Sequence, residues 1–274
     1  MKSELCTVDI ETGQVEVVLK TDRHIEAPNW TRDGAALIVN GQGRLFRVEF
    51  ADPRLKLIDT DFAIDLNNDH GLSPDGKQIA ITNNTDVDVR EIFILPSEGG
   101  TPVRVPHPGR AYWHGWSPDG ATLTYTALRE GVFEICTIPV AGGEETQLTE
   151  GFDHCDGPDY SADGNWIWFN GEKDGQVDLY RVSPKGGTPE RMTNDAAVNW
   201  FPHPSSDGNN IVYLAYPPGT EGHPGGLDVE LRLMSQSGGE SRLLVSLFGG
   251  QGTINVPSWS PDSRACAFVR YERN

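Results

Sequence analysis

Short runs rich in apolar and β-branched residues recur along the chain, many alternating apolar with polar positions: Lys77-Gln-Ile-Ala-Ile81, Glu91-Ile-Phe-Ile-Leu95, Glu134-Ile-Cys-Thr-Ile138, Asn165-Trp-Ile-Trp-Phe169 and Asp178-Leu-Tyr-Arg-Val182. Runs of this length and periodicity bounded by Gly, Pro, Asn or Asp predict β-strands joined by tight turns. The 31 glycines and 19 prolines fall at such short intervals that helices have little room. The pattern therefore predicts an all-β chain.

Those runs belong to a repeat. Six related segments occur: Trp30-Thr-Arg-Asp33-Gly34, Leu72-Ser-Pro-Asp75-Gly76, Trp116-Ser-Pro-Asp119-Gly120, Tyr160-Ser-Ala-Asp163-Gly164, Pro204-Ser-Ser-Asp207-Gly208 and Trp259-Ser-Pro-Asp262-Ser263. Their aspartates are 42, 44, 44, 44 and 55 residues apart, the length of a four-stranded propeller blade. Pro presets φ for a type I turn, Asp bonds nearby amides, and Gly accepts the left-handed conformation that closes a bulged hairpin. Ser263 in the glycine position predicts strain or a different turn there. Gly-Gly turns at Gly142 and Gly186 then lead to a fourth strand in each period.

The last period stops after one strand, Ala265 to Tyr271, and the missing strands stand at the other end of the chain. Glu4-Leu-Cys-Thr-Val8 matches Glu134-Ile-Cys-Thr-Ile138, and Gln14-Val-Glu-Val-Val18 follows as a fourth strand. Across the joined ends, Asp262 and Asp33 are 45 residues apart, close to the internal period. The expectation is one domain, 1–274: a six-bladed β-propeller of four-stranded antiparallel blades, the last closed by amino- and carboxy-terminal strands. The blades fall near 24–60, 66–105, 110–149, 154–193, 198–245, and 253–274 with 1–20. A solenoid would instead need polar terminal caps.

Composition narrows the function. A formal charge of −18, from 40 acidic against 22 basic residues, opposes a grip on phosphate backbones, so nucleic acid is not an expected partner. No apolar run of membrane-spanning length occurs, and the start, Met-Lys-Ser-Glu-Leu-Cys-Thr-Val, lacks a secretory signal. A soluble, cytoplasmic protein is expected, or a periplasmic one if a leader has been removed. Cys6, Cys136, Cys155 and Cys266 lack metal-type spacing and read as buried free thiols.

The Trp-Ser-Pro-Asp-Gly turns, the apolar-aromatic strands after them and the Gly-Gly-x-x-x-x-Leu-Thr element resemble the propeller repeats of the TolB family, over essentially the whole chain. That resemblance implies the propeller fold. It also implies several roles, because similar propellers form the protein-binding domain of TolB, cap prolyl-oligopeptidase-type peptidases and build oligogalacturonate lyases. With neither the amino-terminal domain nor the hydrolase domain of those relatives expected beside a propeller over 1–274, the expectation is a binding module or chemistry done by the ring itself.

Architecture and family together place ligands at the mouth of the central channel, where each innermost strand begins. Seven residues before the turn aspartates stand Glu26, Asn68, Tyr112, Asp156, Trp200 and Asn255, one per blade, with His24, Asp69, His70, Trp113, His114, His154 and Asn199 nearby. Such a ring suits a polar ligand, a small carbohydrate or a cation, and it equally serves to cap strands and solvate the channel. His70 and His114 share the position five before the aspartate in adjacent blades. With Asp69, His154 and Asp156 they form a candidate divalent-metal set. His107, His203 and His223 read as loop or surface residues. Asp86 and Asp88 alternate as calcium-type oxygen donors, but the EF-hand Gly and Glu are absent, so an ordinary blade loop is the competing reading. No nucleophile elbow, zinc-protease, phosphate-loop or dinucleotide motif occurs.

The fifth period is longer, and Tyr216-Pro-Pro-Gly-Thr-Glu-Gly-His-Pro-Gly-Gly226 is its excursion, either a gripping loop or a tolerated insertion. The expected function is a noncatalytic TolB-like scaffold that binds another protein through the channel mouth and this insert. The alternative is a carbohydrate- or metal-binding enzyme, oligogalacturonate-lyase-like or a hydrolase, with its site at the channel mouth and His70, His114, His154 and Asp156 as candidate base and cation ligands.

Overall fold

A computed structural model describes residues 2–86 and 89–273. It is a six-bladed β-propeller. Five blades are four-stranded antiparallel sheets whose spatial order follows the sequence from channel to rim. Blade three is typical, with strands Ala111–Trp116, Thr122–Arg129, Val132–Pro139 and Thr146–Gln147. Among the described residues no helix is long and apolar enough to cross a membrane.

The repeated turn forms as its chemistry requires. In blade three Ser117 donates its hydroxyl to Asp119 at 2.5 Å, Asp119 accepts the Ala121 amide at 3.0 Å, and the Gly120 amide reaches the Ser117 carbonyl at 2.8 Å. These donors hold the Asp119 carboxyl below its ordinary range. Gly120 sits at φ 71°, which glycine adopts without a Cβ penalty. Ser263 accepts the same left-handed conformation at φ 59°. Its hydroxyl receives the Asp207 amide at 3.0 Å, a bond from blade six to blade five that glycine cannot make.

Buried faces of neighbouring blades form the core. Between blades three and four, Ile135, Leu148, Phe152, Cys155, Phe169 and Tyr180 belong to one cluster. Indole donors cross the same seams, from Trp116 to the Gly71 carbonyl at 3.1 Å and from Trp259 to the His203 carbonyl at 2.8 Å. All four cysteines are free and buried, and burial pushes the Cys6 thiol up to about 11.

Blade six joins the chain ends. Ser3–Asp9 pairs antiparallel with Ala265–Tyr271 over seven consecutive positions, and Val15–Thr21 closes the outer edge. Glu4 is clamped by Arg270 at 2.6 Å and by Lys20. The innermost position of this blade is not a continuous strand. It is a bridge between Trp259 and Cys266, with backbone bonds from Ala267 to Ser258 at 2.8 Å and from Val269 to Thr253 at 3.1 Å.

In blade five the additional residues lengthen the outer hairpin as well as the loop. Strands Gly225–Ser235 and Arg242–Gly250 follow the segment 217–224.

Candidate functional site

The innermost strands of blades one to five are all bulged near their middles, and these bulges turn side chains toward the hub. Ala27 and Phe201 sit at φ 53° and 54° within them, conformations costly for residues with a Cβ. Preceding blades hold the bulges from behind: Thr82 accepts the Trp113 amide at 2.9 Å and Asn170 the Phe201 amide at 3.1 Å.

At the mouth where these strands begin lies a cavity of about 200 Å³, lined by Asn67, Asn68, Asp69, Tyr112, His114, Thr126, Phe133, His154, Asp156, Phe201, His223, Gln251 and Asn255. Of the ring seven before each aspartate, Asn68, Tyr112, Asp156 and Asn255 reach it. Trp200 stands behind it, its ring 4.3 Å from that of His223. Glu26 stays outside this lining, bound to His24 at 3.2 Å and Asn40 at 3.3 Å.

Two expectations about histidines are corrected here. His70 is not among the residues that line the mouth cavity with His114. It is paired in the sheet opposite Ile81, and its Nε2 lies 3.5 Å from the Ile38 carbonyl of blade one. Among the described residues no group of three or more His, Cys, Asp or Glu is arranged to hold a metal ion, so the set of His70, His114 and His154 does not assemble. His107 and His223 stand in loops, as expected, whereas His203 lies within the strand Val198–Pro204. His107 and His203 are buried, and His223 lines the cavity because the blade-five insert carries it there. Asp86 ends the strand Gln78–Asp86 at an exposed position, and Asp88 lies outside the described residues.

Electrostatics at the mouth centre on His114. Its Nε2 lies 3.1 Å from Asp156 Oδ1 and 4.0 Å from Asp69 Oδ1. Asp156 Oδ1 also accepts the Thr126 hydroxyl and the Gly157 amide, each at 2.8 Å. Burial works against the Asp156 carboxylate, but the His114 bond and charge overcome it and hold Asp156 well below the carboxylate range. Burial pushes Asp69 up to about 6, with His114 opposing. Burial likewise works against the His114 cation, yet the two carboxylates keep it above its ordinary value. His223 is drawn down by burial, with Asp156 resisting.

Deeper in the channel His203 bonds the Ile254 carbonyl through Nε2 at 2.6 Å and Asp159 through Nδ1 at 3.2 Å. A carbonyl only accepts, so Nε2 donates to Ile254. The opposite mouth is a cavity of about 260 Å³ walled by Trp30, Trp116, Tyr160, Trp259 and prolines of the repeated turns.

Asn67, Thr126, Phe133, Phe201 and Gln251 were not singled out from the sequence, and His223 was read only as a loop or surface residue. Phe201 follows a ring position directly, so the repeat offset was signal enough. His223 was signalled only by being the single imidazole of the insert.

Comparison with known proteins gives a consistent picture. A family model described as the TolB beta propeller domain matches residues 107–274. An uncharacterized protein of Agrobacterium fabrum is 45% identical over 272 residues, covering 99% of this chain and 93% of that protein. A solved structure described as a putative TolB from Agrobacterium tumefaciens has a TM-score of 0.97 and 45% identity, covering 100% of this chain and 99% of that one. The Tol-Pal system protein TolB of Francisella tularensis subsp. tularensis is 25% identical over 272 residues, which cover 94% of this chain but 59% of that protein.

Proposed function

Because this chain belongs to the TolB beta-propeller family, we propose that it is a noncatalytic scaffold that binds another protein at the channel mouth, with the blade-five loop as part of the grip. The observation that carries this reading is the size and make-up of the mouth cavity. At about 200 Å³ it is smaller than the usual pocket for a drug-sized ligand, yet it is walled by aromatic rings and polar groups in the way an anchor residue is received. One inserted side chain fills such a site. His223 and Gln251, from the segments flanking the long blade-five hairpin, complete its rim, so the excursion that distinguishes blade five is built into the site.

The rival, a lyase-like enzyme, needs a cation held by converging imidazoles. His70 faces a backbone carbonyl of the neighbouring blade instead. Photo-crosslinking tests the binding reading. A benzophenone residue replacing Tyr112 at the mouth should trap one partner in native lysate, whereas the same probe replacing Lys185 on an exposed turn should trap none. Equal capture from both positions, together with turnover of an oligosaccharide by the purified protein, would sink it.

A further inference from the structure

The hydrogen-bond inventory of the mouth specifies what kind of side chain it takes. Gln251 Oε1 receives the Asn255 amide at 3.0 Å and lies 2.5 Å from His223 Nδ1, so that ring nitrogen carries the proton. Burial favours the neutral imidazole. The other nitrogen, Nε2, then presents a lone pair 3.7 Å from Asp156 Oδ2. Two acceptors face one another, one of them an anion, and the repulsion is relieved by a proton on Nε2, which burial opposes, or by a donor shared between them.

A second observation points the same way. Asn68 is 6% exposed and lines this cavity; its backbone bonds His70, while its side-chain amide makes no hydrogen bond to any described residue. Its amide is open to the cavity and free to bond what enters it.

We infer that the mouth receives a primary ammonium group, the side-chain amine of a lysine on the partner protein; this rests on the protein-binding reading above. The choice of amine over guanidinium follows from the free oxygens. Asp156 Oδ1 is already taken by His114, Thr126 and Gly157, and Asp69 Oδ2 by Asn67, so each carboxylate offers one oxygen. A guanidinium fork binds best to both oxygens of one carboxylate, whereas an ammonium directs three donors to separate acceptors. Asp156 Oδ2, His223 Nε2 and the Asn68 carbonyl are such a set. Tyr112, Phe133 and Phe201 supply apolar walls for the methylene stem, the first two with the Arg110 guanidinium already over their rings. The net charge of −18 favours the approach of a basic partner.

Calorimetric titration with Nα-acetyl-lysine methylamide tests this, beside its Nε-acetylated form, the arginine analogue, and zinc and manganese chlorides. The lysine amide should bind, and its acetylated form should bind about tenfold more weakly or worse. Asp156→Asn should weaken the lysine amide similarly. His223→Ala provides a second variant, altered in a loop outside the sheets, with thermal melting to confirm that both fold. Equal binding of the acetylated compound, preference for the arginine analogue, or stoichiometric metal binding that excludes the amine would each overturn the inference. If the lysine amide binds while no partner is trapped at Tyr112, the protein-binding reading falls and the ammonium site stands. A trapped partner without amine binding gives the reverse.

Discussion

Asp69 and Asp156 flank one imidazole yet are displaced in opposite directions, because Asp156 takes the close His114 bond and charge while Asp69 is mainly desolvated. Each displacement is a statement about stability. Asp69 binds its proton more tightly folded than unfolded, so its contribution is complete below its unfolded value of 3.8 and is lost as pH rises through about 6. His114, also raised, behaves in the same sense, its contribution fading as pH climbs past its elevated value. Asp156, lowered, contributes fully above its unfolded value and loses this only in strong acid. Asp69→Asn mimics the protonated side chain. It should match the parent near pH 4 and exceed it above pH 7 by on the order of 1–3 kcal/mol, reduced by what His114 loses. Urea unfolding at both pH values checks this, and a difference that does not change with pH would contradict it. A second residue-scale case is steric. A Cβ on Gly71 would stand 2.2 Å from the buried Trp113 ring, so Gly71→Ala should destabilise by about 1–3 kcal/mol of overpacking.

At the scale of the element, the turn and the bulge explain what the sequence made legible. The six turns depend on residues within a few positions of each other, so their spacing was sufficient to read the blades and even the split sixth blade. The bulges are not local. His70 and His114 occupy the same repeat position, but the blade-two bulge falls across 67–69 and returns His70 to the ladder, while in blade three His114 is itself the residue inserted between Trp113 and Gly115. Equal offsets therefore gave unequal fates, and the metal set drawn from them failed. The insert posed the same difficulty, since nothing within Tyr216 to Gly226 says that its imidazole folds over the hub. Ser263 shows how a turn is tuned by a neighbouring blade. Ser263→Gly relieves left-handed strain but loses the bond from Asp207, so its unfolding free energy should stay within about 0.5 kcal/mol of the parent. Ser263→Ala keeps the strain and loses the bond, and should cost about 1–2 kcal/mol. Indistinguishable melting of the two variants would refute this division.

At the scale of the whole molecule, a propeller is a ring of sheets whose faces are buried only while the ring stays shut. Closure here is carried by pairing between chain ends, Ser3 opposite Tyr271 through Asp9 opposite Ala265, not by a covalent link. Leu5, Cys6 and Val8 are fully buried, Leu5 against blade one and the other two against blade five. Removing residues 2–21 would strip two strands from blade six and uncover Phe268 and Val269, also fully buried. Loss of the three leading apolar side chains alone corresponds to roughly 5 kcal/mol. For a chain of this size that lowers the melting temperature by about 10 °C or more. A circular permutant separates closure from mere presence of the segment. With the paired ends joined by a short linker and new termini opened between Lys185 and Gly186, on an exposed turn, every strand is retained and blade four becomes the one sealed by both ends. This permutant should melt within a few degrees of the parent, because the ring needs one noncovalent seam and is indifferent to which blade holds it. A permutant as unstable as the truncation would mean that the terminal strands serve something other than closure.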